Sequence, residues 1–138
     1  MSPLTILAGL VCEEVRPEMD GRRATIVGYI GMLPFAEIYR ASFESPMTRL
    51  CFLFTVETGE ASFLLKARLL DPNGKDILDE PVSGTVTLYP KGPSNLAINF
   101  QDPFVKQPGR YTCELSADDE VFYSCAVEIS QEPDASHI

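Results

Sequence analysis

Residues 109–129, GRYTCELSADDEVFYSCAVEI, alternate apolar and polar side chains on both sides of a short acidic link. In the first run Tyr111, Cys113, Leu115 and Ala117 share one face. In the second, Val121, Tyr123, Cys125, Val127 and Ile129 are in phase. A period of two is the mark of a half-buried β-strand, so the segment predicts an antiparallel hairpin closed by Asp118-Asp119-Glu120. Pairing Ala117 with Val121 then places Cys113 nearly opposite Cys125 on the apolar face. Pro108-Gly109 is a turn that launches the first strand, which gives Gly109 a structural role.

The rest of the chain repeats this pattern. Residues 4–12 read as a first strand, 13–21 as a polar connection ending in Asp20-Gly21, and 22–30 as a second strand. Residues 47–56, MTRLCFLFTV, are almost continuously apolar, as in a strand covered on both faces. Leu50, Phe52, Phe54 and Val56 take the core face there, which turns Cys51 outward. A second copy of the chain is one way to cover the other face, so a homodimer is a candidate assembly. Residues 61–70 alternate again. Asp71-Pro72-Asn73-Gly74 forms a tight turn into a strand over 75–78, with Gly74 as its structural glycine. Strands follow over 84–89 and 95–101, with a turn at 90–93 between them. The 11 prolines and 9 glycines fall between apolar runs, which suits short strands better than long helices. The sum is an all-β fold, an antiparallel sandwich of about seven to nine strands over residues 1–130. A polar, frayed tail is expected over 131–138.

Residues 31–46, GMLPFAEIYRASFESP, are the least regular stretch. Phe35, Tyr39 and Phe43 recur every fourth residue, which with Ile38 is compatible with a short helical turn. One reading is a connection that covers an open end of the sandwich. The other is a binding loop, since loops on rigid scaffolds carry recognition and aromatic residues dominate binding hot spots. On that reading Phe35, Tyr39 and Phe43 are the candidate binding residues.

Charge narrows the partners. The net charge is −9, and the 11 basic residues do not cluster beyond Arg22-Arg23. Nucleic acid and anionic membranes are recognised by basic patches, so neither is an expected partner. No export signal precedes the apolar 4–12 run, so a cytoplasmic setting is expected, with all four cysteines reduced and acting as small apolar residues.

Tyr111-Thr112-Cys113 resembles the corner of immunoglobulin-type sandwiches. There a tyrosine two residues before a cysteine bonds back to the upstream backbone; the alternative is simply two inward residues of one strand. More widely, the chain resembles an uncharacterised bacterial family of small single-domain proteins with no assigned function. Asp20-Gly21-Arg22, Thr25-Ile26-Val27-Gly28, Leu69 to Gly74, Phe104 and Pro108 to Tyr111 with Glu114-Leu115 carry that resemblance. It implies an immunoglobulin-like β-sandwich and supplies no catalytic residues or cofactor.

The residues themselves offer little chemistry. His137 is the only histidine and stands in the tail, which argues against triads and imidazole metal sites. Gly28 and Gly31 do not form a phosphate loop, and no Cys-x-x-Cys occurs. Asp118, Asp119 and Glu120 at one hairpin tip, and Asp71, Asn73, Asp76 and Asp79 near another turn, are oxygen donors of the kind calcium takes. The same residues cap their own backbone in ordinary turns. The expected function is therefore a non-enzymatic protein-interaction or structural module without cofactor. The alternative is a calcium-dependent binding domain of C2-like type on Asp118, Asp119 and Glu120. A carboxylate-based hydrolase is the remoter one.

Overall fold

The computed structural model describes residues 4–17, 19, 24–47, 49–57, 61–88 and 94–132. Nine strands run through them: β1 (Thr5–Pro17), β2 (Ala24–Met32), β3 (Glu37–Arg40), β4 (Arg49–Glu57), β5 (Ala61–Leu70), β6 (Val82–Leu88), β7 (Ser94–Gln101), β8 (Gly109–Ala117) and β9 (Glu120–Gln131). They form two sheets. One has the order β2-β1-β4-β7 and the other β3-β9-β8-β5-β6. Every pairing is antiparallel except β3 with β9, which is parallel.

The core fills the space between the sheets. Val11, Leu50, Phe52, Phe54, Ile98 and Phe100 enter from the first sheet, and Phe63, Leu65, Leu69, Tyr111, Leu115, Val127 and Ile129 from the second. Alternation put them there: in β5, Phe63, Leu65, Ala67 and Leu69 are all buried. Aromatic edges lock the layers, with Phe54 and Tyr123 near perpendicular at 5.6 Å between ring centres. The Tyr111 hydroxyl donates to the Gln107 carbonyl at 2.7 Å, so the predicted corner is present.

The β8–β9 hairpin holds the predicted cysteine pairing and departs from prediction at its tip. Ala117 pairs with Glu120 rather than Val121, leaving Asp118-Asp119 as a two-residue turn. Both have positive φ, 47° and 69°, which matches the twist of the flanking strands. A bulge then absorbs one residue on β9, Phe122, and restores Cys113 opposite Cys125. The bulge also shifts the phase of β9. Val121 becomes exposed, and Phe122 packs edge-on against Phe63 at 6.3 Å.

Four further expectations are corrected. The first strand does not stop at Cys12. Glu13, Glu14, Val15 and Arg16 continue it, because pairing with β2 supplies their backbone bonds while the charges stay at the surface. The helical turn over residues 31–46 is absent; β3 occupies part of that stretch, bonded to β9. Residues 75–78 make one bridge, Leu70 with Asp76, and no strand; the partner of β5 on that side is β6. Instead Ile77 and Leu78 fold back onto the core. Finally, Cys51 does lie on the face of β4 opposite Phe52, yet it is fully buried rather than turned to solvent. The Asp20-Gly21 turn, the 90–93 turn, and residues 133–138 with His137 lie outside the described residues.

Candidate functional site

Strand β3 is anchored from one side and open on the other. Ala36 and Ile38 are buried in the core, and Arg40 donates to the carbonyls of Val105 and Ser45 while lying 5.5 Å over the Phe43 ring. Glu37 and Tyr39 alternate outward. Tyr39 is 57% exposed, and Phe35, just before the strand, is 88% exposed. The Tyr39 hydroxyl donates to Glu37 Oε2 at 2.6 Å. That carboxylate pushes the Tyr39 phenol above its ordinary range by accepting a hydrogen bond from the neutral hydroxyl and by repelling a phenolate charge. A groove of about 730 Å³ runs beside the strand, bounded by Glu13, Ile30, Met47 and Arg49. Of the three aromatic candidates, Phe35 and Tyr39 thus stand at the surface. Phe43 does not join them; it packs against the core as the anchor of the segment.

Four of the carboxylates named for calcium, those of Asp118, Asp119, Asp71 and Asp76, have other work. Asp118 Oδ1 accepts from the Leu64 backbone N–H, Asp119 pairs with Lys66 at 2.7 Å, and Glu120 opens β9 opposite Ala117. Lys66 holds the Asp119 carboxyl below its ordinary range. Asp71 Oδ1 accepts from the Asn73 and Lys75 N–H groups, and Asp76 Oδ1 from Leu78 N–H. These are turn-forming bonds, which use the oxygens that a cation would need. Among the described residues no three His, Cys, Asp or Glu side chains gather as a metal site. A second cleft, about 870 Å³, lies at this end of the sandwich between Asp76, Leu78, Phe104, Lys106 and Tyr111.

Two features were not visible in the sequence, an apolar row on an outer sheet face and the facing of Cys12 with Cys51. On the outer face of the β2-β1-β4-β7 sheet, Met32, Leu10, Leu53 and Ala97 fall in one cross-strand row. Beside it runs Tyr29, Cys12, Cys51 and Asn99. Met32 and Tyr29 are half-exposed at the edge of these rows, whereas Cys51 and Cys12 are sealed by their neighbours. The only hint in the sequence is that β1 and β4 carry apolar residues at both parities.

The second feature is the arrangement of thiols. Cys12 faces Cys51 across β1 and β4, and Cys113 faces Cys125 across β8 and β9. All four are free. Burial, then the neighbouring Cys12 sulfur, pushes the Cys51 thiol up to about 12. Burial also raises Cys12, and the bond to Cys125 followed by burial raises Cys113. An unfolded thiol ionises near pH 8.5, so above that pH the unfolded chain releases protons that the folded chain retains. The stabilisation is complete below that value and drains away as pH rises toward the folded values. We expect the urea midpoint to fall between about pH 8.5 and 11, and to fall less steeply in Cys51→Ala. An equal slope in the two proteins would contradict this.

Beyond the corner, the two sheets and the crossing of β3 onto β9, similarity to known proteins bears on the chain as well. The profile of a family of unknown function, DUF6941, matches residues 7–130. The chain belongs to the DUF6941 family. The family carries no assigned activity. No curated protein matches the chain in sequence. Among solved structures, the DUF6941 chain resembles an immunoglobulin-like protein of Pseudomonas aeruginosa at 12% identity and a TM-score of 0.45, covering 93% of this chain and 97% of that one. It also resembles a glycosyl hydrolase family 2 member of Bacteroides cellulosilyticus (13% identity, TM-score 0.48, 80% of this chain and 18% of that one). A β-glucosidase of Listeria innocua is similar at 10% identity and a TM-score of 0.44, over 91% of this chain and 16% of that one. The DUF6941 chain therefore spans less than a fifth of either hydrolase. Its fold is an immunoglobulin-like β-sandwich, and function must be argued from its own residues.

Proposed function

We propose that this protein is a non-enzymatic interaction module that binds another protein through the surface around β3. The observation that carries this reading is the exposure of Tyr39 on β3 and of Phe35 just before it, in a segment that Ala36, Ile38 and Arg40 pin to the core. Large aromatic surfaces on a rigid support bring contact area at small entropic cost, because the backbone beneath them is already ordered. The carboxylates support it too. Asp118, Asp71 and Asp76 accept from backbone N–H groups and Asp119 pairs with Lys66, an arrangement that holds loops rather than one that moves protons.

The direct test is affinity capture of the tagged protein from extract of its source cell, with Phe35→Ala/Tyr39→Ala alongside. A discrete partner that the double variant loses by about tenfold or more is the expected result. A partner held equally by both proteins would remove the surface from consideration.

A second reading has its own observation, the apolar row Met32, Leu10, Leu53 and Ala97 on the outer face of the other sheet. A second copy of this chain pairing through that face would explain why β4 is apolar on both sides. Sedimentation would then show a dimer that Met32→Lys dissociates. A monomer across the concentration range removes this reading and leaves the first intact.

A further inference from the structure

The four cysteines of this chain occupy two directly opposed cross-strand positions, one in each sheet. Cys12 faces Cys51 where β1 meets β4, and Cys113 faces Cys125 where β8 meets β9. Hairpin alternation alone brings Cys113 to Cys125, but no turn joins β1 to β4, and the two remaining cysteines still fall in register there. Facing residues of an antiparallel ladder have Cβ atoms roughly 4.5–5.5 Å apart, and a disulfide needs about 3.5–4.5 Å, so little movement separates the two states. In each pair the two residues are direct register partners, Cys12 with Cys51 and Cys113 with Cys125. We propose that Cys12–Cys51 and Cys113–Cys125 are two independent disulfide-forming sites, closed by exchange with a small-molecule disulfide such as oxidised glutathione.

The fold dictates which partners can meet. Cys113 belongs to the core cluster between the sheets, with Cys125 packed against it. Cys12 and Cys51 lie on the far face of the opposite sheet, back to back with Val11 and Phe52. Four cysteines allow three pairings, and the folded chain admits one. Access differs between the sites. Cys125 is partly exposed, whereas Cys12, Cys51 and Cys113 are fully buried.

Exchange therefore enters at Cys125. Its thiolate attacks one sulfur of the small disulfide, forming a mixed disulfide and expelling one small thiolate, which takes up the proton Cys125 lost. The Cys113 thiol then gives up its proton and attacks the Cys125 sulfur. The protein S–S bond forms, and the second small thiol leaves with that proton. Two protein thiols are oxidised and one small disulfide is reduced to two thiols. The Cys12–Cys51 site runs the same exchange after local opening of its cover, and closes later. Closure ties β1 to β4 and β8 to β9. The protein thus has a four-thiol form and a doubly stapled form, and the ambient redox poise selects between them.

The test is a time course of the native protein with excess oxidised glutathione, quenched by alkylation and mapped as non-reduced peptides. The guanidine-unfolded chain is treated in parallel to show that the oxidant is competent. We expect the intact protein, weighed without alkylation, to become about 2 Da lighter as Cys113–Cys125 forms and about 4 Da lighter once Cys12–Cys51 has joined it, with the alkylated peptides showing no other pairing. The unfolded chain should give a mixture of pairings. Cys125→Ser should abolish the first bond and still form Cys12–Cys51. Four free thiols in the native protein when the unfolded control is fully oxidised would overturn the proposal. So would Cys12 or Cys51 joined to either thiol of the other sheet.

Discussion

Phe52→Ala is expected to lower the unfolding free energy by roughly 3–5 kcal/mol. The ring is fully buried at the centre of the sandwich, on a strand paired on both sides. It stands edge-on to Phe100 at 5.9 Å and stacks on Phe54 at 6.4 Å. Truncation removes the transfer energy of the ring and leaves a cavity between two sheets. Their backbone ladders resist collapse, so the neighbours cannot move in to fill it. The matched control is Phe35→Ala. The same deletion at a ring that is 88% exposed should change stability by no more than about 0.5 kcal/mol. Urea unfolding of the two variants measures the contrast directly. A loss under about 1 kcal/mol for Phe52→Ala would mean the core is not organised around this residue.

Gly109→Ala is the second large effect, expected to cost roughly 2–3 kcal/mol. Two causes act together at Gly109. Its φ is +142°, where L side chains are strained, and an added Cβ would lie 2.5 Å from Pro72 Cγ. Gly74 separates them. It also has positive φ, +81°, but open space where its Cβ would be. Gly74→Ala should therefore show the backbone penalty alone, about 1 kcal/mol. If contact with Pro72 supplies the difference, pairing Gly109→Ala with Pro72→Gly should recover part of the loss in a double-mutant cycle. Equal costs at Gly74 and Gly109 would assign the whole effect to backbone strain.

The sequence was legible where contacts are local. Period-two alternation marks β5, β7, β8 and β9. The two strands of the β8–β9 hairpin are close enough along the chain that alternation and a short turn together set Cys113 opposite Cys125. What failed was of three kinds. Charges on Glu13, Glu14 and Arg16 read as a loop, although a strand tolerates charge on a face that meets solvent and Arg49 pairs with Glu14 there. The four-residue spacing of Phe35, Tyr39 and Phe43 imitates a helix, and only the long-range ladder from β9 makes a strand of that segment. Asp118-Asp119 lacks the glycine that usually announces a two-residue turn, so the link read one residue too long. The facing of Cys12 and Cys51 was hidden for a related reason. It depends on how β1 and β4 align, and no turn joins those strands directly.

The candidate surface was legible in part. Residue type and irregular surroundings single out Phe35 and Tyr39, and the structure exposes both. The same grounds single out Phe43, which instead packs inward, because Arg40 and the core claim its ring. Spacing alone does not separate an anchor from a contact residue; that distinction depends on which side of β3 the chain next crosses.

Whether the β3 surface meets a partner is decided by site-specific photo-crosslinking in source-cell extract. The reactive group is placed at Tyr39 in one protein and at Thr85, on the remote edge strand β6, in another. Binding through β3 predicts one discrete protein adduct from position 39 and none from position 85. Adducts of equal yield from both positions, or from position 85 alone, would contradict the proposal that this sandwich presents its β3 surface to a partner.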